Sequence, residues 1–223
     1  MPRSKFNLFF LLLFLCGFQD AQGRGGKEEK VKEDTINFTP SIPQLDFKLI
    51  QAAGKSFMMG SPEDEDYRHE DEDDTSGEGG ERVEVSFTKD FEIMITEVTQ
   101  KQWFEVMKNN PSSFSDPVGC DNHIYLQNEK GSDVGLCPDH PVESVSWDMV
   151  RDFITKLNPL SGNTGCEGTP GDPAGCFRLP TEAEWEFAAR GGTLSAYSFE
   201  YPDLIADYAW YWDNSNGQTH PVG

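Results

Sequence analysis

The stretch from Arg178 to Gly192, Arg-Leu-Pro-Thr-Glu-Ala-Glu-Trp-Glu-Phe-Ala-Ala-Arg-Gly-Gly, specifies a helix together with both of its ends. Thr181 supplies a capping hydroxyl, and Glu184, three residues on, reaches back to the cap's own N–H, which makes a capping box. Glu182, Glu184 and Glu186 stand where the helix dipole favours negative charge, Arg190 stands near the opposite end, and Gly191 permits a left-handed stop. The pattern predicts about two and a half turns, with Trp185, Ala188 and Ala189 on the face to be buried. A second capping pair, Thr99 and Gln102, opens a helix with the stripe Trp103, Val106 and Met107, which Pro111 is expected to stop. After Ser146, Trp147, Val150, Phe153, Ile154 and Leu157 recur at three- and four-residue intervals until Asn158-Pro159. Trp103, Trp147 and Trp185 each have aliphatic neighbours on their helix and are expected to pack in the core.

Strand signals are short. Phe47–Ile50 and Lys55–Met59 flank Ala52-Ala-Gly54 and predict a hairpin, while Val83–Phe87 and Phe91–Ile95 alternate as half-buried strands do. Pro111–Pro141 is rich in Gly, Pro, Asn and Asp and reads as irregular structure held by a bridge. Few helices, short strands and much loop argue an α+β domain with little regular secondary structure.

Residues 1–23 resemble an export leader: Arg3 and Lys5 precede the apolar run Phe6–Phe18, and Ala21-Gln22-Gly23 has the small residues of a cleavage site. The apolar run is too short to span a bilayer. Leu13-Phe14-Leu15 before Cys16 lacks the small residue of a lipid-attachment site, so a lipid anchor there is not expected. Residues 24–44 read as a linker and 45–223 as one domain, in the periplasm or outside the cell. Beyond the leader lie Cys120, Cys137, Cys166 and Cys176, an even number that reads as two disulfides in an exported chain. Of three possible pairings, the local one joins Cys120 to Cys137 and Cys166 to Cys176, closing loops of 16 and 9 intervening residues.

The net charge is −21, and residues 61–81 hold eleven acidic residues against Arg68, hence −10 of that total. Such a chain repels nucleic acid. The acidic stretch lacks the alternating ligands and central glycine of a calcium loop, so it reads as a solvated insertion. His69, His123, His140 and His220 fit no metal spacing, and nucleophile-elbow, phosphate-loop and kinase motifs are absent from the sequence.

The wording of Arg178–Gly192 is similar to the signature of the formylglycine-generating-enzyme, or sulfatase-modifying-factor, family. Four further segments follow the family's order: Phe57–Ser61, Glu97–Gln102, Pro141–Trp147, and Ala206–Trp210 running on to Thr219–Gly223. The resemblance covers about Leu45 to the last residue. It implies the formylglycine-generating-enzyme fold, a compact variant of the C-type-lectin-like architecture, incomplete at its C-terminus. The family oxidises a sulfatase cysteine to formylglycine with oxygen and a copper ion held by two reactive cysteines. That pair lies downstream of the segment matching Thr219–Gly223, so no catalytic residue and no copper site are expected in this chain. A protein or peptide of the sulfatase type is the implied partner. By position, the family's calcium ligands fall on Asp207, the Tyr208 carbonyl, Asn214 and the Asn216 carbonyl, an all-oxygen set suited to calcium. The alternative is a non-catalytic, calcium-stabilised binding or envelope-structure module on the same fold, with Asp213–Gly217 supplying turn residues.

Overall fold

The capped helices form where their caps dictate. In the computed structural model, which describes residues 43–61, 82–193, 197–199 and 204–223 and the backbone of Cys16–Gly17, Thr99 and Thr181 each complete a capping box, opening α1 (Gln100–Met107) and α3 (Glu182–Arg190). Ser146 caps α2 (Trp147–Leu160) by accepting from Met149 N–H, and Gly191 ends α3 in the left-handed conformation at φ 58°. The expected leader, apart from Cys16–Gly17, nearly all of the linker and nearly all of the acidic stretch lie outside the described residues.

Two terminations differ from expectation. Helix α1 ends at Lys108, which adopts φ 59° and donates its N–H to the Phe104 carbonyl, so the stop is made three residues before Pro111. Helix α2 carries Pro159 within its last turn, close enough to the end that little of the helix has to break around it. The neighbouring Asn158 is buried, and its amide pairs with both the N–H and the carbonyl of Phe177, fixing the approach to α3.

The strands make three small sheets among the described residues. β2 (Phe47–Ile50) pairs antiparallel with β5 (Phe91–Met94), and β1 (Cys16–Gly17) pairs with the other edge of β5. β3 (Ser56–Met59) pairs instead with β4 (Val83–Ser86). Ala52–Gly54 therefore does not close the hairpin expected between β2 and β3. It carries the chain from one sheet to the next, because Gly54 N–H donates to the Phe87 carbonyl and Phe87 N–H to the Lys55 carbonyl. The segment expected to be irregular contains a hairpin, β6 (Ile124–Gln127) with β7 (Asp133–Leu136). Its turn is organised by Asn128, whose side chain accepts from Lys130 and Ser132 N–H, and by Gly131 at φ 73°.

The main core lies where α1 crosses α2. Trp103 and Phe153 stack with ring centroids 5.0 Å apart, among Met94, Val98, Val150 and Leu157. A second cluster joins Ala52, Phe91 and Ile93 to Phe87, Phe187 and Ala188, so α3 closes over the three-stranded sheet and the β3–β4 pair. Of the three tryptophans expected in the core, Trp103 alone is buried; Trp147 is 57% and Trp185 39% exposed. The buried stripe of α2 begins at Val150, and Trp147 projects one turn before it. On α3 the inward face carries Glu184, Phe187 and Ala188, which turns Trp185 and Ala189 outward.

Candidate functional site

Glu184 faces inward because it is neutralised there. Its two oxygens accept from both guanidinium nitrogens of Arg178 at 2.7 Å, and Oε2 also accepts from Thr181 N–H at 2.8 Å. Burial raises the Glu184 pKa, but the Arg178 fork and the Thr181 N–H outweigh it and hold the carboxyl below its ordinary value. Two residues on, Glu186 accepts from Gly60 N–H and from Arg190, whose guanidinium also donates to the Gly60 carbonyl. Gly60 at φ 98° brings this backbone against the helix. The motif thus anchors a helix and ties it to the Gly60 backbone.

The other motif segments also meet as junctions. Val142 N–H donates to the Val98 carbonyl beside the Thr99–Pro141 bridge. Gln100 is fully buried: its amide donates to the Phe114 carbonyl and accepts from Cys137 N–H and Asn110. Sequence reasoning gave Gln100 no role of its own; its signals were its place in the family segment Glu97–Gln102 and its polar type on the stripe side of α1.

Both local disulfides form, Cys120–Cys137 and Cys166–Cys176, each with Cα atoms 5.7 Å apart. Inside the second loop Asp172 accepts three backbone N–H groups, from Glu167, Gly168 and Thr169, together with the Thr169 hydroxyl. Burial alone raises its pKa; those donors reverse the effect and lower it.

The C-terminal segment carries the expected calcium ligands. Asp207 and Tyr208 end the short α4 (Ile205–Tyr208), and Asn214 and Asn216 lie in the turn that follows. Asn214 closes that turn, accepting from Tyr211 N–H at 2.7 Å and donating to the Ala209 carbonyl at 2.8 Å. The donor set is all oxygen, but one lone pair of Asn214 Oδ1 is already used by the chain. Among the described residues no three His, Cys, Asp or Glu side chains converge as a metal-binding group.

Residues 216–219 form one wall of a cleft of about 250 Å3 whose other walls are Phe114, Asp116, Val118, Gly119 and Cys137. The wall is pinned by buried His140, whose Nδ1 lies 2.9 Å from the buried Thr219 hydroxyl, and by Val222 N–H donating to the Asp139 carbonyl. Burial lowers the His140 pKa, as does nearby His220; Asp139 and Asp121 oppose the shift without reversing it. Sequence reasoning leaves His140 among scattered histidines, whereas here it joins two motif segments.

Residues 45–222 match the family described as the sulfatase-modifying factor enzyme 1-like domain. A chaperone protein LppX of Paenibacillus barcinonensis is 32% identical over 173 residues, covering 60% of this chain and 54% of that protein. The solved Treponema denticola variable protein 1 superposes with a TM-score of 0.53 at 27% identity, over 81% of this chain and 66% of that one. The chain spans about half the length of the Paenibacillus relative and about two thirds of the Treponema chain. With its motifs meeting as polar junctions across a domain that the family profile matches almost throughout, the chain belongs to the sulfatase-modifying-factor family.

Proposed function

We propose that this chain is an exported, protein-binding member of the family that recognises a polypeptide and carries no oxidase chemistry of its own. The observation that carries this reading is the state of its cysteines. Cys120, Cys137, Cys166 and Cys176 are joined in structural loops, so none of them offers the thiolate that monovalent copper requires. The same bridges suit an oxidising compartment outside the cytoplasm. A relative named as a chaperone favours a protein partner, and the mixture of short strands and capped helices is compatible with the C-type-lectin-like variant of the fold.

The test mixes the purified chain with a sulfatase-motif peptide, copper and oxygen, and separately with a permanently unfolded, carboxymethylated protein. Peptide or client binding by fluorescence anisotropy without aldehyde by mass spectrometry is the expected result. Formylglycine in the product refutes the reading, and so does failure to bind either polypeptide.

A second reading, calcium as a stabiliser of the C-terminal loop, is favoured by the Asn214–Ala209 bond, which draws the two halves of the ligand set toward one another. Asp207, the Tyr208 carbonyl, Asn214 and the Asn216 carbonyl would hold the ion, which would supply rigidity to the loop. Millimolar calcium is expected to raise the unfolding temperature over chelator, and Asp207→Ala to abolish the increment. An equal response to magnesium, or none to either, counts against calcium.

A further inference from the structure

We propose that the C-terminal aromatic surface formed by Tyr208, Trp210 and Trp212 docks a Lys/Arg-rich segment of a partner protein. This rests on the protein-binding reading above and names the class of polypeptide. Trp212 is 86% exposed, Tyr208 62% and Trp210 58%. Single exposed apolar side chains are ordinary on a protein surface; here three large exposed rings stand within five residues of one another in sequence, and concentrations of exposed rings mark interaction sites.

The rings sit on a fixed frame. Tyr208 stacks on Phe199 at 4.5 Å, and Phe199 on Tyr197 at 5.0 Å. Trp210 stacks on His220 at 3.8 Å, and His220 Nε2 lies 3.0 Å from the Ser215 carbonyl. Asn214 closes the turn that presents Trp212. Binding therefore demands little further ordering of Tyr208 and Trp210.

Charge selects the occupant. From Gly191 to Gly223 the sequence holds Glu200, Asp203, Asp207 and Asp213 but no Lys or Arg, within a chain of net charge −21. Asp207 and Asp213 are exposed and adjoin Tyr208 and Trp212 in sequence. Aromatic faces attract ammonium and guanidinium groups, and neighbouring carboxylates add long-range attraction. Acidic peptides, nucleic acid and anionic lipid are repelled by the same field.

The experiment follows the anisotropy of labelled basic, neutral and acidic peptides of equal length with the 223-residue chain, at low and physiological salt. The basic peptide is expected to bind best and to weaken with salt. Trp212→Ala is expected to lower its affinity about 2- to 5-fold, Trp212→Phe to recover part of the loss, and Asp213→Asn to weaken binding and flatten its salt dependence. Trp147→Ala, an exposed tryptophan elsewhere, is expected to leave binding unchanged, with unaltered thermal unfolding of every variant as the control for folding. Equal binding of basic and neutral peptides overturns the inference, as do equal effects of Trp212→Ala and Trp147→Ala. A shift of tryptophan emission by phosphatidylcholine vesicles without basic-peptide binding overturns it in favour of a choline headgroup. If the unfolded client binds with no basic preference, this inference alone fails; if no polypeptide binds, the broader reading fails too.

Discussion

Replacing Glu184 by alanine is expected to destabilise the chain by about 4 kcal/mol, although the residue lies in the motif that names the family. The Arg178 and Glu184 side chains are 3% and 11% exposed and meet through two bonds of 2.7 Å. Breaking a buried pair from one side costs about 3–5 kcal/mol, because a guanidinium stays buried without the carboxylate that neutralised it. The reciprocal cap on Thr181 N–H is lost with it, and about 1 kcal/mol of that figure belongs to the cap. For a domain of this size the change corresponds to about 8–16 °C in unfolding temperature. Equilibrium urea denaturation of the oxidised protein at pH 7 measures it, alongside Arg178→Met and the double variant Arg178→Met/Glu184→Leu. The double variant removes both charges at similar volume and is expected to cost far less than the sum, with a coupling of at least about 2 kcal/mol. The pair also sets a pH dependence. Because the folded pKa of Glu184 is lowered from 4.5, its contribution is complete above that value and is lost as pH falls through the folded value. The gap between wild type and Glu184→Ala therefore narrows in acid. A cost below about 1 kcal/mol at pH 7, or strict additivity of the two single variants, refutes a buried-charge account of this helix.

Trp103→Ala is expected to cost about 3–5 kcal/mol and Trp147→Ala under about 0.5 kcal/mol by urea denaturation, since one ring is fully buried on Phe153 and the other stands 57% exposed. Gly168→Ala places a left-handed residue at φ 75° with a Cβ 2.9 Å from Ile154 Cγ2, and a lowered unfolding temperature is expected, whereas Gly162→Ala, equally left-handed but with open space around it, should lose less. His140 has its pKa lowered from 6.5, so on acidification the unfolded chain takes up the proton first; stability should fall as pH drops below about 6.5, and His140→Gln should flatten that slope. Peptide mapping without reductant is expected to recover Cys166 linked to Cys176, and replacing both by serine to cost on the order of 3 kcal/mol.

Helix ends were the most legible part of this chain because a cap is a local event. Thr99 with Gln102 and Thr181 with Glu184 are complete within four residues, and both form as the sequence implies. What was not legible depended on partners far away in sequence. The turn at Ala52–Gly54 looks like a hairpin until Phe87 supplies the backbone groups that redirect it. The inward face of α3 reads as Trp185 and its alanines until Arg178 is buried beside Glu184, at which point a carboxylate displaces an indole from the interior. The β6–β7 hairpin was missed for a different reason: its turn signal at Asn128 and Gly131 lies between two cysteines, and the loop composition around it masked the alternation of Ile124–Gln127.

The family words of this chain are places where separated segments exchange hydrogen bonds: Gly60 with Glu186 and Arg190, Val98 with Val142, His140 with Thr219. A residue in such a junction is constrained by the fold whatever the surface does, so finding the words certifies a scaffold and is neutral about chemistry. The residues free to differ in function are those that the junctions hold in place without using. Trp212 fits that description: it follows the family word Ala206–Trp210, stands beside a turn closed by Asn214 and is 86% exposed, while Trp210 keeps one face stacked on His220. Mutation of the junctions should therefore lower stability and binding together, whereas mutation of the exposed rings should lower binding alone. That separation distinguishes a binding surface carried on this scaffold from a scaffold whose exposed rings do nothing.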